Sequence, residues 1–222
     1  WHRSEELPQY ADQLEKLSKE LKSGITVEQL EESYNNLRDS WQRIVIKTLP
    51  AAVDIISNLN DEQVNDFLEM LIEKEGDDAK KIEKGTHVRT VKKREAYVSK
   101  KIVEVIGPLN EAQKALIAQW AQRMKPTKEF SLAQAIQWRT KMQAVLAERH
   151  NEQQLQKNLM VLFANPDQLR SASYRRVIDK NKHLVMQLLL DLNQTLTHQQ
   201  RSKLVKKING YIEDFRDLSD RP

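Results

Sequence analysis

The chain has 222 residues and a formal net charge of +4, because 36 Lys and Arg oppose 32 Asp and Glu. Hydrophobic residues make up 39% of it and charged residues 31%, against roughly 45–50% and about 25% in an average domain. The absence of Cys excludes disulfides and thiolate metal sites. With only 5 Gly and 6 Pro, a strand-and-turn protein is improbable. The composition favours a helical protein with much solvated surface.

One short pattern predicts where helices begin. An apolar or small residue precedes Ser, Thr or Asn, and Gln follows the polar residue three positions later. In such a capping box, the polar side chain accepts an N–H of the first turn, and the Gln side chain accepts the N–H of the cap residue. The pattern predicts helix starts at Thr26, Asn60, Asn110, Ser131, Asn165 and Thr197.

In chain order, the apolar periodicity predicts five helices in the first half of the chain. Their ranges are 3–22, 26–44, 51–57, 60–76 and 77–106. Ser23 and Gly24 are expected to close the first helix. Pro50 is expected to start the third, since proline suits a first helical turn. Gly85 and Thr86 are the weak point of the fifth.

In the second half, the same periodicity predicts further helices and one very apolar segment. The helical ranges are 110–124, 131–149, 152–163, 165–178 and 197–218, and the apolar segment is 184–192. We therefore predict an all-α fold, an irregular multi-helical array of about nine to eleven helices. Residues 1–222 are expected to form a single helical domain, with 126–130 as the best candidate for a loose subdivision.

No stretch of the chain has the pattern of a known catalytic, cofactor or metal site. The five His residues form no pair at i, i+3 or i+4, and the HExxH, GxSxG, P-loop and GxGxxG patterns are absent. We therefore assign no catalytic, cofactor-binding or metal residues, and we expect a non-enzymatic protein without a cofactor. An enzyme with scattered catalytic residues remains an alternative.

One carboxylate interrupts an apolar stripe. Glu95 lies between Val91 and Val98, where a buried carboxylate must be paired or protonated. We expect a structural ion pair with an arginine of a neighbouring helix, Arg43 or Arg139. A functional polar pocket is the alternative.

Two other groups of residues receive structural interpretations. The basic run from Lys80 to Lys101 is interrupted by acids and spreads around the helix, so we interpret it as a solvated face. Contact with an anionic surface is its alternative, and nucleic acid is not expected as a partner. Trp41, Trp120 and Trp138 lie on apolar stripes and are predicted to be in the core.

The capping phrase also resembles a family signature. The sequence Leu196-Thr197-x-x-Gln200, and nearly the same phrase at Leu59 and Leu109, is similar to the Leu-Thr-x-x-Gln motif of the Spy/CpxP-type periplasmic chaperones. That resemblance implies a concave helical surface, both basic and apolar, that holds unfolded clients without ATP.

A broader resemblance runs over essentially the whole chain. It rests on Trp1-His2-Arg3 with Glu6-Leu7-Pro8-x-Tyr10, on Ile106-Gly107-Pro108-Leu109 with Gln113 and Trp120, and on Leu196-Thr197 through Gln200-Arg201 with Tyr211-x-x-Asp214-x-x-x-Leu218. These segments resemble a proteobacterial lipoprotein family of unknown function. The resemblance implies an upstream signal peptide and lipidated Cys, and hence a periplasmic protein anchored to the outer or inner membrane by an N-terminal lipid. We expect another protein or envelope component as its partner.

Overall fold

The computed structural model describes residues 1–85, 87–164 and 166–221. The protein is 88% helical, and its described residues form nine α-helices and no β-strand. The helices are α1 (Leu7–Ser23), α2 (Val27–Ser57), α3 (Asp61–Glu83), α4 (His87–Ile106), α5 (Glu111–Arg123), α6 (Lys128–Ala147), α7 (Glu152–Ala164), α8 (Ala172–Thr195) and α9 (His198–Asp220). A π-helical turn, His2–Glu6, precedes α1, and a 3₁₀ turn, Pro166–Leu169, precedes α8. The predicted all-α fold is confirmed.

The chain divides into two compact units. Unit 1 comprises Trp1–Arg38, His87–Met124 and Asn181–Pro222, and unit 2 comprises Asp39–Thr86 and Lys125–Lys180. Two of the boundaries fall inside α2 and α8, so each of these helices contributes residues to both units. Another boundary lies between Met124 and Lys125.

Each unit has its own apolar core. In unit 1, one cluster joins α4, α5 and α8 around Ile117, Ala121 and Leu188, and a second joins α1 and α9 around Ala11 and Ile208. In unit 2, α2, α3, α6 and α7 bury one larger cluster. Its most buried members are Leu49, Met142, Leu146, Leu155 and Leu159. Burial of such side chains contributes about 1.5–3 kcal/mol each.

Four of the six predicted capping boxes are confirmed. At Asn60, Asn110 and Thr197, the cap side chain accepts the N–H of the Gln, and the Gln side chain accepts the N–H of the cap residue. Thr26 makes the same two bonds with Gln29, at 3.3 and 2.9 Å. The prediction at Asn165 lies outside the described residues.

The helix start predicted at Ser131 is wrong. The helix α6 begins at Lys128, and Ser131 donates its N–H to the Thr127 carbonyl at 2.8 Å. Its hydroxyl is 2.8 Å from the Tyr174 hydroxyl, and the neighbouring Phe130 ring stacks on Tyr174. These tertiary contacts outweigh a side-chain cap, which contributes about 1 kcal/mol.

The separate helix predicted after Pro50 is also wrong, because α2 continues through this proline. A proline inside a helix costs about 3 kcal/mol. Here Val45, Leu49 and Val53 are all buried at intervals of four residues. Their combined burial outweighs the lost backbone hydrogen bond, so the helix remains continuous across Pro50.

The boundary between α3 and α4 also differs from the prediction. The helix α3 does not end near Gly76 but continues to Glu83, so the single helix predicted over 77–106 is wrong. A glycine inside a helix costs only about 1 kcal/mol, which explains why Gly76 is tolerated. Gly85 and Thr86 were predicted as the weak point of that predicted helix. Gly85 lies in the break between α3 and α4, and Thr86 lies outside the described residues.

Candidate functional site

Unit 1 contains an apolar groove between α1, α9 and the first part of α2, with a volume of about 490 Å³. Its floor includes Leu14 and Leu17 of α1 and Phe215 of α9, which are also packed against the core of this unit. Leu37 and Tyr211 line it while remaining 67% and 46% exposed. The groove is thus the uncovered side of a packed core.

Contacts between α1 and α9 hold the floor of the groove. The hydroxyl of Ser18, which is buried, donates to the Asn209 side-chain carbonyl at 3.1 Å. Arg216 of α9 reaches Glu15 of α1 at 2.6 Å. Hydrogen bonds from Lys19 and Arg216 hold the pKa of Glu15 below its usual range. Since both helices contribute floor residues, these contacts hold the floor of the groove together.

The rim of the groove is charged. Lys16 of α1 lies 2.6 Å from the Glu32 carboxylate of α2, and both side chains are about half exposed. The hydrogen bond to Glu32 raises the pKa of Lys16, and the charge of Glu20 adds to the effect. Two carboxylates and one ammonium therefore line an otherwise apolar opening.

Two of the capping phrases meet in unit 1. The buried side-chain amides of Gln113 and Gln200 donate to each other's oxygens at 2.9 and 3.0 Å. Gln113 also donates to the Thr195 carbonyl at 3.1 Å, and Gln200 donates to the Pro108 carbonyl at 2.7 Å. Each glutamine thus reaches the carbonyl two residues before the other's cap. We call this arrangement the glutamine joint.

The predicted ion pair of Glu95 is wrong. Glu95 is half-buried, and within the described ranges no cation forms an ion pair with it. Arg139 instead holds Glu75, with its Nε 2.9 and 3.0 Å from the two carboxylate oxygens. The polar side chain that α4 packs inward is the adjacent Arg94, whose guanidinium donates to the Ala121 carbonyl at 2.7 Å. Burial lowers the pKa of Arg94.

The basic run is solvated, as predicted, apart from the half-buried Arg94. Lys80 and Lys81 pair with Asp77 and Asp78, which lie three residues earlier on α3. The lysines in this run are therefore exposed side chains of α3, of its C-terminal cap and of α4.

Two of the three predicted core tryptophans are confirmed. Trp120 is buried, and Trp138 packs against the unit 2 core. Trp41 was predicted wrongly, because its side chain is 52% exposed and its Nε1 donates to the Phe163 carbonyl at 3.3 Å. The stripe that contains it therefore does not pack along its whole length.

The described residues contain neither a cluster of metal-binding side chains nor a helix that could cross a membrane. No group of three or more His, Asp or Glu side chains in the described ranges could hold a metal ion. None of the helices there has both the length and the apolar character that a membrane span requires.

Comparison with known proteins places the chain in a family. A model described as a family of unknown function, DUF6279, matches residues 1–175. The chain belongs to this family. The expectation of an uncharacterised family is thereby confirmed, and the match ends within α8 rather than at the end of the chain. No curated protein and no solved structure matches the chain.

The sequence did not distinguish the groove from the core. Leu37 and Tyr211 lie on the same three-four apolar stripes as their buried neighbours, so periodicity alone does not separate the exposed positions from the buried ones. Their exposure depends on which helices pack together. No local signal in the sequence carries that information.

Proposed function

We propose that this protein is a non-enzymatic helical binding module of the cell envelope, and that its unit 1 groove receives an amphipathic helix of another protein. The observation that carries the proposal is the open apolar groove, in which Leu37 and Tyr211 remain exposed. An amphipathic helix binds such grooves by placing its apolar face on the floor, with anchors at i, i+3 and i+4.

The charges on the rim indicate which charged residues a partner helix would carry. Glu20 and Glu32 outnumber Lys16 around the apolar floor. A complementary helix would carry Lys or Arg beside its apolar stripe, because such charges favour the encounter and fix the orientation of the bound helix. The proposed partner is therefore a basic amphipathic helix.

The proposed location rests on resemblance. The segments around Trp1, Ile106 and Leu196 resemble a proteobacterial lipoprotein family. On that basis the protein would face the periplasm, with the full-length chain attached to the outer or inner membrane by an N-terminal lipid. Groove and anchor together would hold a partner protein close to the membrane.

The partner can be identified by site-specific photo-crosslinking in cells. A photoreactive residue replaces Leu37 in the full-length protein, and a matched control replaces Ile55, which is on the same helix and 64% exposed. We expect a crosslink from position 37 to a basic amphipathic segment of one protein, and none from position 55. A synthetic peptide of that segment should bind the purified protein, and Leu37→Asp should weaken its affinity at least tenfold whereas Ile55→Asp should not.

Three results would contradict the proposal. They are equal crosslinking from both positions, crosslinking only to lipid or to a second copy of the chain, and a captured peptide whose affinity is unchanged by Leu37→Asp. The first would also show that the exposure of Leu37 has no specific role.

The second candidate function is an ATP-independent chaperone. The glutamine joint favours it, because the Leu196 phrase, which matches the Leu-Thr-x-x-Gln motif, meets the similar Leu109 phrase there. In this case the protein should suppress light scattering by a denatured, reduced client at an equimolar ratio. Charge reversal of Lys203, Lys206 and Lys207 should abolish the effect, and charge reversal of Lys80 and Lys81 should not. No suppression at severalfold excess, in low and physiological salt, would eliminate this candidate.

A further inference from the structure

Unit 2 contains a second opening that differs from the groove. It is a cleft of about 450 Å³ between the C-terminal part of α3, the first half of α6 and the start of α8. Leu71, Leu132 and Trp138 give it an apolar lining. A volume of this size, with apolar walls and a few polar groups, is typical of a small-molecule site.

Tyr174 and Arg170 line one wall of the cleft, and Phe130, which is not part of the lining, stacks on Tyr174. The Phe130 and Tyr174 rings lie 5.3 Å apart and nearly parallel, at an interplanar angle of 7°. The Arg170 guanidinium lies 5.5 Å from the Tyr174 centroid and also pairs with Asp167. The Tyr174 hydroxyl is 2.8 Å from that of Ser131. Tyr174 is buried, so this wall is held in place by the fold.

Four charged side chains line the cleft, and three of them form ion pairs. The Glu75 carboxylate is held by Arg139, and Asp78 lies 3.0 Å from the Lys81 ammonium, which raises the pKa of Lys81. Lys74, in contrast, has no ion-pair partner in the part of the chain that the structure describes. Arg170, the other lining cation, pairs with Asp167. Lys74 is therefore the one charged side chain of the described lining that has no ion-pair partner.

We propose that this cleft binds a small organic carboxylate that carries a planar ring, with the carboxylate at Lys74 and the ring between the apolar lining and the Tyr174 wall. One uncompensated ammonium matches a monoanion. The flat wall and the apolar lining suit a ring better than a flexible polar chain. The site is independent of the proposed helix-binding groove, because all of its residues belong to unit 2.

The test uses benzoate as the probe and the intact protein. We expect saturable one-to-one binding by calorimetry, with a Kd of about 1 mM for a ligand of nine non-hydrogen atoms. Benzamide, which has the ring without the charge, and acetate, which has the charge without the ring, should each bind at least tenfold more weakly. Binding of benzoate should also shift the indole N–H signal of Trp138 in NMR spectra.

Two charge reversals locate the site. Lys74→Glu should weaken benzoate binding at least tenfold, and the exposed position of Lys74 means that the variant should fold. Lys157→Glu, an exposed lysine of α7 that does not line the cleft, should change the Kd less than twofold. The proposal is overturned if benzoate does not saturate up to about 10 mM, if benzamide binds equally well, or if Lys74→Glu has no more effect than Lys157→Glu.

Discussion

Capping boxes of the same sequence type lie in two different surroundings. In unit 1, the boxes of Asn110 and Thr197 meet through Gln113 and Gln200, and the two amides satisfy each other. In unit 2, the box of Asn60 has the exposed Gln63, and the turn before it is held by the buried side chain of Arg149. We call this second arrangement the arginine joint.

The two joints satisfy backbone carbonyls by different chemistry. Arg149 donates its Nε–H to the Leu59 carbonyl at 2.8 Å and an Nη–H to the Leu146 carbonyl at 3.0 Å, and it also pairs with Asp61. In the glutamine joint, neutral side-chain amides donate to the backbone carbonyls instead, and all donors and acceptors of these amides are engaged. At Asn60, Asn110 and Thr197 the capping phrase marks a helix start, whereas the tertiary partner of the turn is determined elsewhere in the chain.

Removing the arginine should have the largest effect. Arg149→Met leaves the carbonyls of Leu59 and Leu146 without these donors, and hydrogen bonds to charged groups contribute about 1.5–3 kcal/mol each. We expect the free energy of unfolding to fall by about 3 kcal/mol in urea titrations. Asp61→Asn is the control, with an expected loss below about 1 kcal/mol, because Asp61 is 90% exposed. Equal effects of the two substitutions would show that the ion pair, rather than the carbonyl bonds, stabilises this joint.

The glutamine joint should show a smaller single effect and strong coupling. Gln113→Leu strands the buried amide of Gln200, and an unsatisfied buried polar group costs about 1–3 kcal/mol. We expect a loss of about 2 kcal/mol for either single substitution, measured by urea denaturation. The double variant should lose clearly less than the sum of the two single losses. Additive losses would show that the two amides do not act as a pair.

The caps should have a smaller effect than the joints. Thr197→Ala should lower the free energy of unfolding by about 1 kcal/mol, because one N–H of the first turn of α9 loses its acceptor. Thr26→Ala is a comparison at an exposed box outside both joints, and its loss should be no larger. A loss indistinguishable from zero at Thr197 would mean that the Gln200 side chain alone holds this turn.

The smallest expected effect is on the stability of the protein at low pH. The pKa of Glu15 is lower in the folded state than in the unfolded state. The charge of Glu15 therefore stabilises the protein fully at a pH above the unfolded-state pKa. This stabilisation is lost as the pH falls through the lower, folded-state pKa. We expect the parent protein to lose more thermal stability than Glu15→Gln below about pH 4.3, the usual pKa of a glutamate. The neutral glutamine joint should not contribute to this loss. Identical pH profiles would show that the ion pair of Glu15 and Arg216 does not stabilise the folded state.

The parts of the fold that sequence predicted are those encoded locally. A capping box is contained within four residues, so its geometry at Asn60, Asn110 and Thr197 followed from the phrase alone. Ser131 has the same phrase but lies inside α6, because Tyr174 is 43 positions away and no local pattern shows it. The helix start predicted at Pro50 was wrong for the same reason, because the burial of the stripe around this proline depends on packing against α6 and α7.

The candidate sites were the least predictable part. The groove consists of stripe residues that no helix covers, and the cleft depends on Lys74 lacking the partner that Glu75 and Asp78 each have. Both properties arise from helix packing. The carboxylate that interrupts a stripe, Glu95, was the conspicuous local signal, yet it belongs to neither site.

The glutamine joint also has a consequence for the kinetics of folding. Its two side chains are separated by 87 positions in the sequence, so neither amide finds its partner until the turn before α5 and the turn before α9 have come together. Contacts of such long range form late, because a large loop must close first. We therefore expect Gln113→Leu to increase the unfolding rate severalfold and to leave the refolding rate close to that of the parent. The joint would then slow unfolding and so lengthen the lifetime of the folded protein.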